Sequence, residues 1–232
     1  RHDGSGMTAG QQLAFDLPHR EALGREDFLV SDSNAAAVTA IDAWPDWPHA
    51  GLLLVGPEGS GKSHLVEVWR QRSGARRIVS DEINGDPQVL VADAKAIIVE
   101  DCEPGLDETA MFHLLNAVER SGADILLTAR SEPRNWRIEL SDLKSRLSRL
   151  PVVKLEPPDD LLLQTVMMKL FADRQVTVDA AVLRYLAMRV ERSFAAVRDM
   201  VVRLDRAAIE AKRPVTRALA ARILSETGEK PD

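Results

Sequence analysis

Residues 51–63 read GLLLVGPEGSGKS, and the reading of this stretch decides the fold. A short apolar run, residues 51–55, leads into Gly56-Pro57-Glu58-Gly59-Ser60-Gly61-Lys62-Ser63, followed by His64. The spacing is G-x-x-x-x-G-K-[ST], a phosphate-cradling loop, and it stands after a buried strand and before an amphipathic helix, as such a loop requires. Glycines let the backbone curl closely around an anion where a Cβ would clash or forbid positive φ. The N–H groups of the loop, and of the helix starting near Gly61, then point at a β-phosphate. Lys62 reaches the β- and γ-phosphates, and the Ser63 hydroxyl suits Mg²⁺. The pattern predicts a purine-nucleotide binder.

The chain has 232 residues, enough for one large core or two smaller ones. Apolar residues make up 45% and charged residues 28%, an ordinary globular balance. A net charge of −6 argues against binding nucleic acid by simple attraction. The single cysteine, Cys102, excludes an internal disulfide framework and fits a reducing, cytoplasmic compartment. It lies beside an apolar strand and reads as a packed thiol. No apolar run approaches the roughly 18–20 residues of a membrane span, and no signal peptide is expected. Residues 1–6 (RHDGSG) read as a leftover of cloning ahead of a start at Met7.

Residues 7–26 lack helical or strand periodicity and read as an extended, flexible tail. A helix is expected over about 34–44, stopped before Pro45. Strands are expected at 51–55, 77–79, 96–99, 125–128 and 152–155, and helices over 61–73, 107–121 and 141–149. Strands alternating with helices predict an α/β domain, a five-stranded parallel sheet with helices on both faces, spanning 27–156. Pro157-Pro158 marks a change. Beyond it only helical spacing recurs: Leu162, Val166 and Leu170, then Leu183, Leu186 and Val190, then Val197, Val201, Leu204 and Ala208. Thr216 reads as the N-cap of a last helix through Ile223. A small all-helical domain is therefore expected over 157–232.

The run Ala96–Val99 ends in Glu100-Asp101. In nucleotide hydrolases of this build, a second strand brings one carboxylate to the Mg²⁺ water shell, and a neighbouring acid polarises the attacking water. The order here is Glu-Asp, where Asp-Glu or Asp-Asp is usual. Arg146 lies on a polar helix near the fifth strand, and Arg198 early in a helix of the C-terminal part. By themselves both read as solvated charges.

The order of these segments resembles the AAA+ family, and within it the bacterial replication initiator DnaA with its short regulatory homologues of the Hda type. Four segments carry the likeness: DFLVSDSN (27–34), GPEGSGKSHL (56–65), DLKSRL (142–147) with VVKLEPPDD (152–160), and VRDMVVRLDRA (197–207). The resemblance implies that Asp27, Phe28 and Val30 lie near the adenine and that residues 56–64 hold the phosphates. It makes Ser63 and Glu100 the Mg²⁺ positions, and Glu100 and Asp101 the acidic pair. Arg146 matches the arginine finger that reaches a neighbour's γ-phosphate, typically worth about 10³–10⁵ in rate. Arg198 matches the lid arginine that contacts the bound nucleotide.

Three departures accompany it. No residues are expected beyond the helical lid for a DNA-binding helix-turn-helix. The connection 80–95 leaves little room for the extra helix that contacts single-stranded DNA in DnaA. After the fourth strand comes Thr128-Ala129-Arg130, where the family tends to place an acid two positions past the Thr. Arg130 weighs against hydrolysis by the chain itself, while Thr128 offers a hydroxyl. In the tail, Gln12-Leu13-Ala14-Phe15-Asp16-Leu17 resembles the Q-L-x-L-x-L peptide that docks on the polymerase sliding clamp, the beta subunit. Gln12 offers an amide, and Leu13, Phe15 and Leu17 fill an apolar groove.

The resemblance implies a regulator of replication initiation that binds ADP or ATP with Mg²⁺. It would dock on the clamp, meet DNA only through it, and stimulate hydrolysis of ATP on DnaA through Arg146. Head-to-tail self-association is a further reading. The rivals are a free-standing ATPase, a helicase-loader type of replication adaptor, and a clamp-binding module in which nucleotide is only structural.

Overall fold

A computed structural model of the chain describes residues 28–226, apart from 48, 80, 81 and 104. Helix α1 (Ala35–Asp42) precedes β1 (Gly51–Val55), α2 (Lys62–Ser73), β2 (Arg76–Ile78), α3 (Pro87–Val91), β3 (Ala96–Val99) and α4 (Glu108–Ser121). Then follow β4 (Asp124–Ala129), a 3-10 turn (Pro133–Asn135), α5 (Ser141–Leu147) and β5 (Val152–Lys154). Among the described residues, four helices follow: α6 (Asp160–Asp173), α7 (Ala180–Ala187), α8 (Phe194–Ala211) and α9 (Arg217–Glu226).

The strands form one parallel sheet in the order β2-β3-β4-β1-β5. Strand alternation sorts its side chains onto two faces. Leu53, Val55, Ile97, Val99, Ile125 and Leu127 face a core shared with α4 and α5. Leu52, Leu54, Ile98 and Leu126 face the opposite core, with α1 and α2. Burial on both faces explains why β1 is apolar at every position after Gly51. Gly51 itself is required by space, since a Cβ there would stand 2.7 Å from Leu150 and 2.8 Å from Ile125.

Helix ends follow local chemistry. Asp107, Asp159 and Ser193 accept from Ala110, Leu162 and Ala196 N–H at the starts of α4, α6 and α8. Thr216 does the same for Leu219, as an N-cap there requires. Gly74 and Gly122 end α2 and α4 in the left-handed region. Several elements differ from their expected bounds. Strand β2 lies one residue earlier, because pairing Ile78 with Val99 leaves Val79 outside the ladder and 53% exposed. The β2–β3 connection holds α3, the crossover that two parallel neighbours need. Helix α5 ends at Leu147, and α9 runs past Ile223 to Glu226. Helices α6 to α9 bury a core of their own around Phe171, Leu186, Val201 and Leu204.

One side of the sheet is pinned by tryptophans. Trp69, fully buried on α2, stacks on Trp47 at 5.2 Å and meets Trp44 edge-on at 5.9 Å. Trp44 Nε1 donates to Asp124 at the start of β4, and Trp47 Nε1 to the Ala40 carbonyl on α1. Truncating Trp69 to Ala leaves a large cavity and should cost about 3–5 kcal/mol. The measurement is the urea midpoint. Trp69→Phe, which keeps part of the aromatic stack, should lose less.

Candidate functional site

The predicted phosphate loop joins β1 to α2 at the C-terminal edge of the sheet. Gly56 N–H donates to the Ala129 carbonyl, tying the loop's first residue to the end of β4. A Cβ on Gly56 would approach the Leu155 carbonyl to 2.6 Å and Ser60 Oγ to 2.7 Å, so only glycine fits. Gly59 and Gly61 have φ of 73° and 100°, which other residues rarely adopt. Among the described residues, no side chain caps α2 at Gly61, and the first N–H groups of a helix have no intrahelical acceptor. Ser60 Oγ is buried with no hydrogen-bond partner among the described residues. These features fit a bound phosphate group.

Lys62 is buried, and its ammonium donates to the carbonyls of Gly56 and Pro57 at 2.7 and 2.9 Å. Burial holds its pKa below the ordinary lysine value; Asp101 opposes that shift and Arg130 adds to it. Ser63 is exposed in the first turn of α2. Glu58 is exposed on the rim of the loop, its side chain 83% exposed.

The two acids part company. Glu100 ion-pairs with Arg77 on β2 at 3.0 Å, and Arg77 also reaches Glu67 at 3.6 Å. Asp101 is the carboxylate whose charge acts most strongly on Lys62. It sits in the left-handed region (φ 54°), fixed by its N–H donating to Thr128 Oγ1 at 2.9 Å. Such strain in a non-glycine residue clusters at functional sites. The sequence pairs Glu100 with Ser63 as metal positions, and here it is Asp101 that acts on the loop lysine. Nothing in the sequence announced Arg77 as the partner that holds Glu100.

The chain before α1 reaches the site by another route. Phe28 is buried and meets the His64 ring edge-on at 4.9 Å, while Val30 is 53% exposed. Asn34 is buried and shapes this segment by accepting from Ser31 N–H and donating to the Leu29 carbonyl. Its side chain therefore serves the preceding turn and leaves α1 without a side-chain cap. Asp27 and the motif residues Gln12, Leu13, Phe15 and Leu17 lie outside the described residues.

The helical bundle rests on the loop. Phe194 N–H donates to the Gly59 carbonyl at 3.2 Å. A Cβ on Gly59 would collide with Ser193 at 2.4 Å, and one on Gly61 would meet the Phe194 ring at 3.0 Å. Ser193 and Phe194 escaped the sequence reading, although a Ser opening an amphipathic run is a helix-start signal. Arg198 is exposed one turn into α8. Arg146, on α5, pairs with Glu119 of α4 and lies 5.6 Å from the Phe112 ring centre. Its partners are on α4 and not on the phosphate loop. The arginine pulls the Glu119 carboxyl below the usual carboxylate range.

Cys102, next to the acids, borders a small cavity of about 70 Å³ with Val99, Asp107 and Met111. Burial, reinforced by Asp101 and Glu103, pushes its thiol up to about 12. The thiolate is the reactive form. Iodoacetamide at pH 8 should leave the native thiol unmodified and react fully once the chain is unfolded, as read by intact mass.

No protein-family model matches the chain. It is 25% identical, over 227 residues and 87% of its length, to the chromosomal replication initiator protein DnaA of Thermomicrobium roseum. It is 25% identical to DnaA of Francisella philomiragia over 175 residues and 64% of its length. The chain spans 49% and 36% of the lengths of these two relatives. Among solved structures, domain III of Thermotoga maritima DnaA matches with a TM-score of 0.78 at 21% identity, covering 90% of this chain and 98% of that one. A point mutant of Thermotoga maritima RuvB matches with a TM-score of 0.71 at 14% identity, covering 86% of this chain and 71% of that one. The fold is thus the α/β AAA+ fold seen in both, and sequence likeness points to DnaA. Among the described residues, no helix is long and apolar enough to cross a membrane.

Proposed function

We propose that this chain is a nucleotide-binding AAA+ regulator of replication initiation. One observation carries the reading: a phosphate loop with a buried lysine, and a Ser60 hydroxyl unpartnered among the described residues, lies directly beneath the first turn of α8. ADP or ATP placed there would touch both the sheet and the bundle. A solved DnaA structure bound to AMPPCP and single-stranded DNA shares this fold at a TM-score of 0.67 and 14% identity, covering 81% of this chain and 67% of that one.

In this reading residues 56–64 take the phosphates. Lys62 exchanges the Gly56 and Pro57 carbonyls for phosphate oxygens. Phe28, Val30 and Asp27 flank the base, and Arg198 approaches the nucleotide from the bundle, which serves as a lid over residues 157–232. Ser63 and Asp101 hold Mg²⁺, with Glu100 set back by Arg77. The metal, when bound, supplies positive charge beside the terminal phosphates. The nucleotide fixes how the lid rests on the sheet, and so the shape offered to a partner.

The partner is DnaA carrying ATP. Arg146 leaves Glu119 and reaches the partner's γ-phosphate, while residues 12–17 dock on the sliding clamp. Glu119 is 63% exposed in its pair with Arg146, so water competes for that carboxylate when the arginine is released. Arg130, where the family tends to carry an acid, fits a chain with little turnover of its own.

The test is a reconstitution with ATP-loaded DnaA and clamp on DNA. The chain should speed loss of that ATP. Arg146→Ala should remove the stimulation, by about 10³-fold or more if the finger acts fully. Gln12→Ala should weaken it, and Lys62→Ala should abolish nucleotide binding by calorimetry. Equal decay with and without the chain would defeat the proposal. Brisk turnover by the chain alone, lost in Lys62→Ala, would favour the free-standing ATPase.

A further inference from the structure

The helical bundle carries its charge unevenly. Residues 180–190 and 211–225 hold Arg184, Arg189, Lys212, Arg213, Arg217 and Arg222 and no acid, in a chain whose net charge is −6. These two stretches contain α7 and all of α9 except Glu226. The two helices pack together, and Tyr185 joins their cations. Its buried ring lies 4.2 Å from the Arg189 guanidinium and 4.7 Å from that of Arg217. Arg189 is half-buried, and the other five cations are exposed.

We propose that this face of the bundle binds the phosphate backbone of duplex DNA directly, without regard to base sequence. The inference goes beyond the regulatory reading and does not need it, since neither nucleotide nor clamp enters. Three observations support it.

The first is that the cations are left without acids. Among the described residues, no ion pair joins Arg184, Arg213, Arg217 or Arg222 to a carboxylate. The neighbouring helix α8 differs, for its Arg203 and Arg206 each stand 3.9 Å from an acid one turn away, Asp199 and Glu210. The second is how Arg217 is held. Attraction to a ring face steadies a guanidinium while leaving its planar fork of N–H donors for phosphate oxygens. The third is extent. Helix α9 has 10 residues and so is about 15 Å long, while duplex DNA carries one charge per ~1.7 Å of its axis. Several phosphates therefore fit one face. The acidic net charge does not cancel this, because salt at 0.1 M screens exposed charges beyond about 10 Å. A bilayer suits the face less well. The apolar side chains Ala220, Ile223 and Leu224 of α9 are buried in the bundle core, and Met188 is the exposed large apolar residue of these two stretches.

The experiment is fluorescence anisotropy of two labelled duplexes of unrelated sequence, titrated with the chain over about 50–200 mM salt. The variants are the double changes Arg184→Glu with Arg213→Glu, and Arg203→Glu with Arg206→Glu, and the melting temperature of each is recorded. Both doubles alter the net charge equally, and neither touches the Tyr185 ring contacts. The first should weaken both duplexes alike, by about tenfold or more, and lower the slope of log affinity against log salt by about 2. The second should change affinity by no more than about threefold. Equal weakening by the two doubles, no effect of the first, or no binding by wild type at about 100 mM salt overturns the proposal. Phosphatidylglycerol vesicles or polyglutamate bound as tightly as the duplex would overturn the assignment to DNA.

Discussion

Two hydrogen bonds frame the mouth of the phosphate loop. Gly56 N–H donates to the Ala129 carbonyl on one side, and Leu155 N–H donates to the Val55 carbonyl on the other. They hold the end of β1 between β4 and the continuation of β5, where both faces of the sheet are buried. A strand so placed has no freedom to tilt. Whatever binds at its C-terminal end meets a loop whose first residue is fixed, as ligand sites in open parallel sheets generally are. The acids after β3 and the Thr128–Arg130 segment after β4 reach the same edge because their strands run parallel to β1.

The second constraint is contact between the loop and the bundle. Gly59 and Gly61 lack side chains for two reasons at once: their φ values, and the closeness of Ser193 and Phe194. The bundle has its own apolar core. Among the described residues, it meets the loop through the Phe194–Gly59 backbone hydrogen bond and through Ser193 and Phe194 packed against Gly59 and Gly61.

Much of this is legible in the residues because the strongest signals are local. β1 and β3 are uninterrupted apolar runs, and the loop motif stands where a strand must end and a helix begin. The sheet and its helices can therefore be read nearly to their bounds. What stays hidden depends on contacts distant in sequence. Arg77 reaches Glu100 across 23 positions, Arg130 returns to Glu58 across 72, and Phe194 meets Gly59 across 135. No periodicity encodes such meetings. Asn34 reads as a helix start, yet its side chain turns to the preceding backbone, since Asn competes for nearby N–H and C=O groups. Helix α3 escapes a reading by period because five residues give too few repeats to register.

The tryptophan cluster has a mechanical consequence for the opposite end of α2. That helix begins with Lys62 and Ser63, carries Trp69 in its middle, and ends with Arg72 hooked to the Asp42 and Trp44 carbonyls. Rotating or sliding it would part Trp69 from both neighbouring indoles and break those hooks together. Helix α2 is therefore the anvil of this molecule. Adjustment to any ligand at the loop would therefore fall to the loop itself and to the first turn of α8 that touches it.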